Sequence, residues 1–176
     1  MVVDIVLIGP PGSGKTSVAK ALARKLDTSR IDTDHEIEVR AGKKISEIFT
    51  EDGEAKFREM EVEVVAEALA HNGGIVSVGG GSVLNESSQR AIATAKQVVF
   101  LDVSISNAAP RVGFNKDRPL LALNPRQQWL QLMEKRRPIY ESLATLTIST
   151  DNKKPDEVAT EIIETMNRAK QKNGGQ

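Results

Sequence analysis

The chain has 176 residues, with 24 lysines and arginines balanced by 24 aspartates and glutamates, and this neutrality argues against a general nucleic-acid binder. It contains no cysteine, which excludes disulfides, thiolate metal sites and a cysteine nucleophile. The length suits one α/β domain with a sizeable core, and the N-terminal apolar run is too short to span a bilayer and lacks a basic leader, so a cytoplasmic protein with no membrane partner is expected.

In chain order, Val2–Ile8 reads as a strand buried on both faces. It runs directly into Gly9-Pro10-Pro11-Gly12-Ser13-Gly14-Lys15-Thr16, a match to G-x-x-x-x-G-K-[ST], and then into a helix over Ser17–Leu26. A short strand, Ser29–Asp32, precedes helices at Asp34–Arg40, closed by Gly42, and at Ile45–Phe49. A longer helix spans about Gly53 to Ala70, and the strand Gly74–Val78 ends in Gly79-Gly80-Gly81. Helix Glu86–Ala95, strand Gln97–Asp102 and helix Ile105–Val112 follow, and then the polar loop Gly113–Leu123. Asn124-Pro125 opens a helix to about Tyr140, Leu143–Ser149 is a fifth strand, and Pro155–Arg168 is the last helix, leaving 169–176 as a disordered tail. The alternation predicts one doubly wound domain over 1–168, with a five-stranded parallel sheet flanked by helices. Ligands of such sheets gather at the carboxyl ends of the strands, where Gly9, Asp32, Gly79 and Asp102 fall.

The loop implies a nucleoside triphosphate. Backbone N–H groups of Gly12, Ser13, Gly14, Lys15, Thr16 and Ser17 cradle phosphates, the Lys15 ammonium reaches the β and γ groups, and the Thr16 hydroxyl suits Mg²⁺. Asp32 and Asp34 sit at alternate positions of a strand end. Asp34 is assigned to the hydroxyl that accepts the phosphoryl group and Asp32 to the metal side; the competing role for either is a helix cap. Arg58 and Glu61 are three apart on the long helix, which suits either a preorganised anion-binding arginine or an ordinary ion pair. Arg136 continues the apolar stripe of Trp129, Leu132 and Met133, whereas Lys135 and Arg137 fall off it into solvent. An inward arginine needs an anion, and two of them suggest a substrate carboxylate.

Gly79, Gly80 and Gly81 point to close approach of a ligand to bare backbone, with a flexible connection as the alternative. Arg111 and Arg118 bracket the loop of about 112–124, which has the composition of a lid. Arg118 would stabilise charge on the transferred group, and Arg111 would lie against the base. Asn115-Lys116-Asp117-Arg118 lacks the final carboxylate of a guanine-reading N-K-x-D motif. Asp102 is a minority candidate for the metal, and His35 and His71 read as surface residues.

Together these motifs resemble shikimate kinase, from about Asp4 to Arg168. The resemblance rests on the phosphate loop, Asp32-Thr33-Asp34, Phe57-Arg58 with Glu61, Ser77-Val78-Gly79-Gly80-Gly81, Arg118-Pro119-Leu120-Leu121 and Arg136-Arg137-Pro138-Ile139-Tyr140. It implies a fold like nucleoside monophosphate kinases, with a substrate region at about 32–62. It also implies transfer of the ATP γ-phosphate to the 3-hydroxyl of shikimate, a step toward chorismate and the aromatic amino acids, with one Mg²⁺ per subunit. By position, Asp34 would be the base, and Arg58, Arg136 and the Gly80 and Gly81 backbone would hold shikimate. Arg111 and the turn near Pro155 would sandwich adenine, with Asp32 reaching the metal through water. A monomer is expected. The alternatives are another small-metabolite kinase, acting on gluconate or a nucleoside monophosphate, and a non-catalytic nucleotide switch.

Overall fold

The computed structural model describes residues 4–71, 73–112 and 124–173. Strand β1 (Ile5–Ile8) is wholly buried and lies at the centre of a five-stranded parallel sheet ordered β2-β3-β1-β4-β5. Its partners are β2 (Arg30–Asp32), β3 (Ile75–Ser77), β4 (Gln97–Asp102) and β5 (Leu146–Ser149). Parallel strands cannot be joined by tight hairpins, so helices carry the chain back across both faces. These are α1 (Lys15–Leu26), α2 (Thr33–Ala41), α3 (Ile45–Glu51), α4 (Glu54–Leu69), α5 (Glu86–Ile92), α6 (Ile105–Val112), α7 (Pro125–Leu143) and α8 (Pro155–Asn173).

The two-residue period of β1 divides the core. Val6 and Ile8 face one side, where they join Val65, Phe100, Trp129, Met133 and Tyr140. Ile5 and Leu7 face the other, against Val18 and Leu22 of α1 and Val158 and Ile162 of α8. A third, smaller cluster of Ile37, Ile48, Phe57 and Val64 binds α2, α3 and α4 together, so the expected substrate region has its own apolar support.

Register places the loops. Leu7 pairs with Ser77, and Asp32 pairs with the same Ser77 across β3. The carboxyl ends of β2, β3 and β1 therefore stop level, and the phosphate loop, the three glycines and the Asp32-Thr33-Asp34 run emerge side by side.

Several boundaries differ from expectation. Helix α7 passes through Pro138 and ends at Leu143 rather than near Tyr140, and β5 starts three residues later than predicted, at Leu146. A proline costs a helix one hydrogen bond; here the flanking turns are held by buried Met133, Arg136 and Tyr140. Asn124 occupies the N-cap position of α7 without a capping bond; its amide donates to the Gln127 side chain at 2.7 Å instead. Helix α5 stops at Ile92 instead of Ala95. Helix α8 runs on to Asn173, so five residues expected in a disordered tail are helical. Lys170 and Lys172 in its last turn complement the negative end of the helix dipole. Val2, Val3, the lid residues 113–123 and with them Arg118 lie outside the described residues.

Candidate active site

The phosphate loop is shaped by α6 as well as by its own sequence. Gly12 has φ +81°, and a Cβ there would lie 2.7 Å from the Val112 side chain and 2.9 Å from the Ala108 carbonyl; only glycine satisfies both conditions. Lys15 extends back along the loop, donating to the Gly9 and Pro10 carbonyls at 2.8 and 3.1 Å. No side chain caps α1, so its first-turn N–H groups remain directed at the loop's concave side.

Asp32 caps a helix and also reaches the phosphate loop. One carboxylate oxygen accepts the Asp34 and His35 N–H groups at 3.2 and 3.3 Å, capping α2. The other accepts the Thr16 hydroxyl at 2.6 Å. The Thr16–Asp32 oxygen pair is the hard, partly anionic donor set a small divalent cation prefers. Among the described residues no group of three or more His, Asp or Glu could cage a metal, so phosphates and water would complete such a shell.

Two clefts open from this point. The first, about 380 Å³, is lined by Lys15, Thr16, Asp32, Arg111, Lys153 and Pro155 among others. Arg111 is fixed there by donating to the Thr150 hydroxyl at 2.9 Å and the Thr150 carbonyl at 2.8 Å. The second, about 530 Å³, is lined by Asp34, Arg58, Gly79, Gly80, Gly81 and Arg136 among others. Thr16, Asp32 and Asp34 belong to both walls.

The three glycines are explained by close approach. None of them has positive φ, which removes the reading of a flexible connection that needed glycine's conformational freedom. A Cβ on Gly79 would lie 2.6 Å from Asp34 Oδ1 and 2.9 Å from Glu61 Oε1. One on Gly80 would lie 3.2 Å from the Gly9 carbonyl and 3.5 Å from Arg136 Nη1, and one on Gly81 would collide with the Arg58 guanidinium. Gly79 thus makes room for Asp34 and Glu61, Gly80 for the backbone of the phosphate loop, and Gly81 for Arg58.

Arg58 forms the expected ion pair and also lines the second cleft. It pairs with Glu61 at 2.7 Å and lies over the Phe57 ring at 5.2 Å while facing the cleft. Glu61, 3% exposed, also accepts the Ser82 hydroxyl at 3.0 Å, so a buried carboxylate fixes the arginine's direction. Arg136 is 8% exposed and forms no ion pair with a carboxylate among the described residues. A buried guanidinium that pairs with no described carboxylate is suited to receive a ligand's anion.

Asp102, a minority candidate for the metal, does not stand free: Arg137 clasps it at 2.7 and 3.1 Å. Nor is Arg137 simply solvated; it also stands 5.7 Å from the Phe100 ring, and the hydrogen bond to Asp102 raises its pKa. Sequence reasoning also missed three supports. The Thr33 hydroxyl accepts the Gly79 N–H at 3.2 Å, the Trp129 indole donates to the Pro11 carbonyl at 3.0 Å, and the Tyr140 hydroxyl donates to the Gly80 carbonyl at 2.6 Å. The stripe that singled out Arg136 extends one turn to Tyr140, and that was the available signal.

A glycine-rich loop between the first strand and helix of a parallel sheet, beside a second cleft with a buried arginine that pairs with no described carboxylate, defines a P-loop kinase of the nucleoside monophosphate kinase type. The shikimate kinase family profile matches residues 11–167, and the chain belongs to the shikimate kinase family. It is 54% identical over 154 residues to a shikimate kinase of Thermobifida fusca, covering 88% of this chain and 89% of that one. It is 44% identical to a shikimate kinase of Streptomyces coelicolor, covering 91% and 93%. A solved shikimate kinase of Acinetobacter baumannii in complex with shikimate superposes with a TM-score of 0.92 at 32% identity, over 97% of this chain and 95% of that one. A gluconokinase of Sinorhizobium meliloti, 22% identical over 94% and 92% of the two chains with a TM-score of 0.59, shares the fold.

Proposed function

We propose that the chain transfers the γ-phosphoryl group of ATP to the 3-hydroxyl of shikimate, giving shikimate 3-phosphate and ADP on the route to chorismate and the aromatic amino acids. One observation carries the choice of acceptor: buried Arg136, unpaired with any described carboxylate, faces the same cleft as Asp34. A carboxylate bound by Arg136 and Arg58 would fix one end of the acid. Its hydroxyl end would then meet Asp34, on the wall shared with the phosphate cleft.

In this scheme Asp34 accepts the hydroxyl proton as the new oxygen–phosphorus bond forms and the β–γ bridging bond breaks. Lys15 leaves its loop carbonyls for the β and γ phosphates, while the loop N–H groups and α1 hold the chain of phosphates. Thr16 and Asp32 would hold Mg²⁺, which when bound would neutralise charge developing on the phosphate oxygens. Arg118, on the lid, supplies a further positive charge to that group. Arg111 and Pro155 flank the adenine. Gly80 and Gly81 bring backbone donors to the acid, whereas the Gly79 N–H is donated to the Thr33 hydroxyl. We further propose a cytoplasmic monomer.

An ADP-release assay over shikimate, gluconate, CMP and AMP tests the proposal. Release with shikimate alone is expected. Release that depends on a nucleotide or gluconate, with none on shikimate, overturns it.

A further inference from the structure

Tyr140 belongs to no step of the scheme above, yet it holds a backbone group that the scheme uses. It is wholly buried and stacks on Phe100 with ring centroids 5.1 Å apart. Its hydroxyl donates to the Gly80 carbonyl at 2.6 Å. Arg136 lies one helical turn earlier on the same face of α7. Burial pushes the phenol up to about 12, against the pull of the Arg136 charge and hydrogen bond, so it stays a neutral donor throughout the working pH range.

The geometry has a direct consequence for Gly81. A trans peptide is planar, with its C=O and N–H pointing in opposite directions, and no described peptide is cis. Fixing the Gly80 carbonyl on Tyr140 therefore fixes the Gly81 N–H on the opposite side. Without the phenol, nothing among the described residues holds that peptide plane: the Gly79 and Gly81 carbonyls have their own partners in the turn, Ser82 N–H and Leu84 N–H at 3.0 Å each. The neighbouring peptides are pinned by local turn bonds, and the Gly80–Gly81 peptide is pinned from α7.

We infer that Tyr140 is a positioning residue for acid binding, whose hydroxyl sets the plane of the Gly80–Gly81 peptide. This rests on the second cleft being the acid site. The nucleotide cleft is not lined by Gly80, Gly81, Arg136 or Tyr140, so the effect is confined to one substrate.

The test is Tyr140→Phe, which keeps the ring stack and deletes the hydroxyl. Loss of a buried hydrogen bond to a group that acts on the ligand is expected to raise the KM for shikimate roughly tenfold, with the KM for ATP unchanged. Phe100→Leu is the packing control: it disturbs the stack, lowers the melting temperature and leaves the shikimate KM in place. A Tyr140→Phe enzyme with an unaltered shikimate KM overturns the inference, as does one whose kinetic changes match those of the packing control. Should Tyr140→Phe not fold, the wild-type chain decides, because it contains a single tyrosine. Protein grown on meta-fluorotyrosine carries one fluorine label, whose NMR resonance is expected to move on adding shikimate; a resonance that stays fixed at saturating shikimate overturns the inference. Wild-type enzyme that turns over no shikimate would instead overturn the functional proposal, a separate outcome.

Discussion

The Thr16 hydroxyl and the Asp32 carboxylate meet at 2.6 Å, joining the first turn of α1 to the end of β2 at the wall between the two clefts. Because the second Asp32 oxygen caps α2, charge and hydrogen bonding at this residue can be separated. Asparagine caps helices about as well as aspartate. Asp32→Asn is therefore expected to keep the wild-type melting temperature while requiring severalfold more Mg²⁺ for half-maximal activity. Asp32→Ala is expected to lose about 1 kcal/mol of stability as well. A magnesium titration that superposes for Asp32→Asn and wild type would remove Asp32 from the metal side.

Asp34 Oδ1 lies beside the Gly79 Cα, where even a methyl group would not fit. Asp34→Asn keeps the shape and removes the base. Turnover is expected to fall by about 10²–10⁴-fold, the usual worth of general base catalysis, with ATP affinity by calorimetry unchanged. Undiminished turnover would reassign the proton.

The two arginines of the acid cleft should respond differently to deletion. Arg136→Ala leaves no described carboxylate unpaired, so its effect falls on the ligand: about 1.5–3 kcal/mol of shikimate affinity, the worth of a hydrogen bond to a charged group. Arg58→Ala also strands the buried Glu61 carboxylate, and a further loss of about 1–3 kcal/mol in folding stability is expected. Equal melting temperatures for the two variants would show that Glu61 does not depend on Arg58.

Gly79→Ala separates crowding from strain. The backbone there suits any residue, so any change in stability comes from crowding and not from strain. The added methyl must displace Asp34 or Glu61, however, and kcat is expected to fall at least tenfold, as small misplacements at a reacting centre do. Normal kcat in a normally folded Gly79→Ala protein would mean that Asp34 has room to spare.

Acid sensitivity has an identifiable contributor far from the site. The Lys96 ammonium, 2.5 Å from Asp4, and after it the Gly74 N–H hold the Asp4 carboxyl below its ordinary 3.8 against the opposing effect of burial. With the folded value depressed, the stabilisation is present above the unfolded value and is lost as pH falls through the folded one. The pair is half-exposed, so under about 1 kcal/mol is at stake. Denaturant melts of Asp4→Asn are expected to lie below wild type at neutral pH and to converge with it in acid. A gap that persists in acid would show that packing, rather than charge, is responsible.

What could be read from the sequence was whatever depends on near neighbours. The phosphate loop, the Asp32-Thr33-Asp34 run and the Arg58–Glu61 spacing are local, and the apolar stripe of α7 was enough to turn Arg136 inward. The misreadings all depend on partners distant in the chain. Asp102 looked available because the arginine that occupies it is 35 residues away, and Arg137 looked solvated because a helical wheel cannot see the end of β4. Thr33, Trp129 and Tyr140 escaped notice for a related reason: each acts on a backbone atom of another loop, and backbone atoms leave no trace in a residue pattern. Helix α7 outlasting Pro138 is again a tertiary effect overriding a local preference.

Trp129 is the only tryptophan in the chain, and its indole N–H is bonded to the carbonyl of Pro11 inside the phosphate loop. An indole's emission is sensitive to what its N–H touches, so the molecule carries its own optical gauge of that loop. Nucleotide arrival can be followed by intrinsic fluorescence in the unmodified enzyme, with no dye and no coupled assay. Acid arrival has its own spectroscopic handle at the opposite end of the same helix.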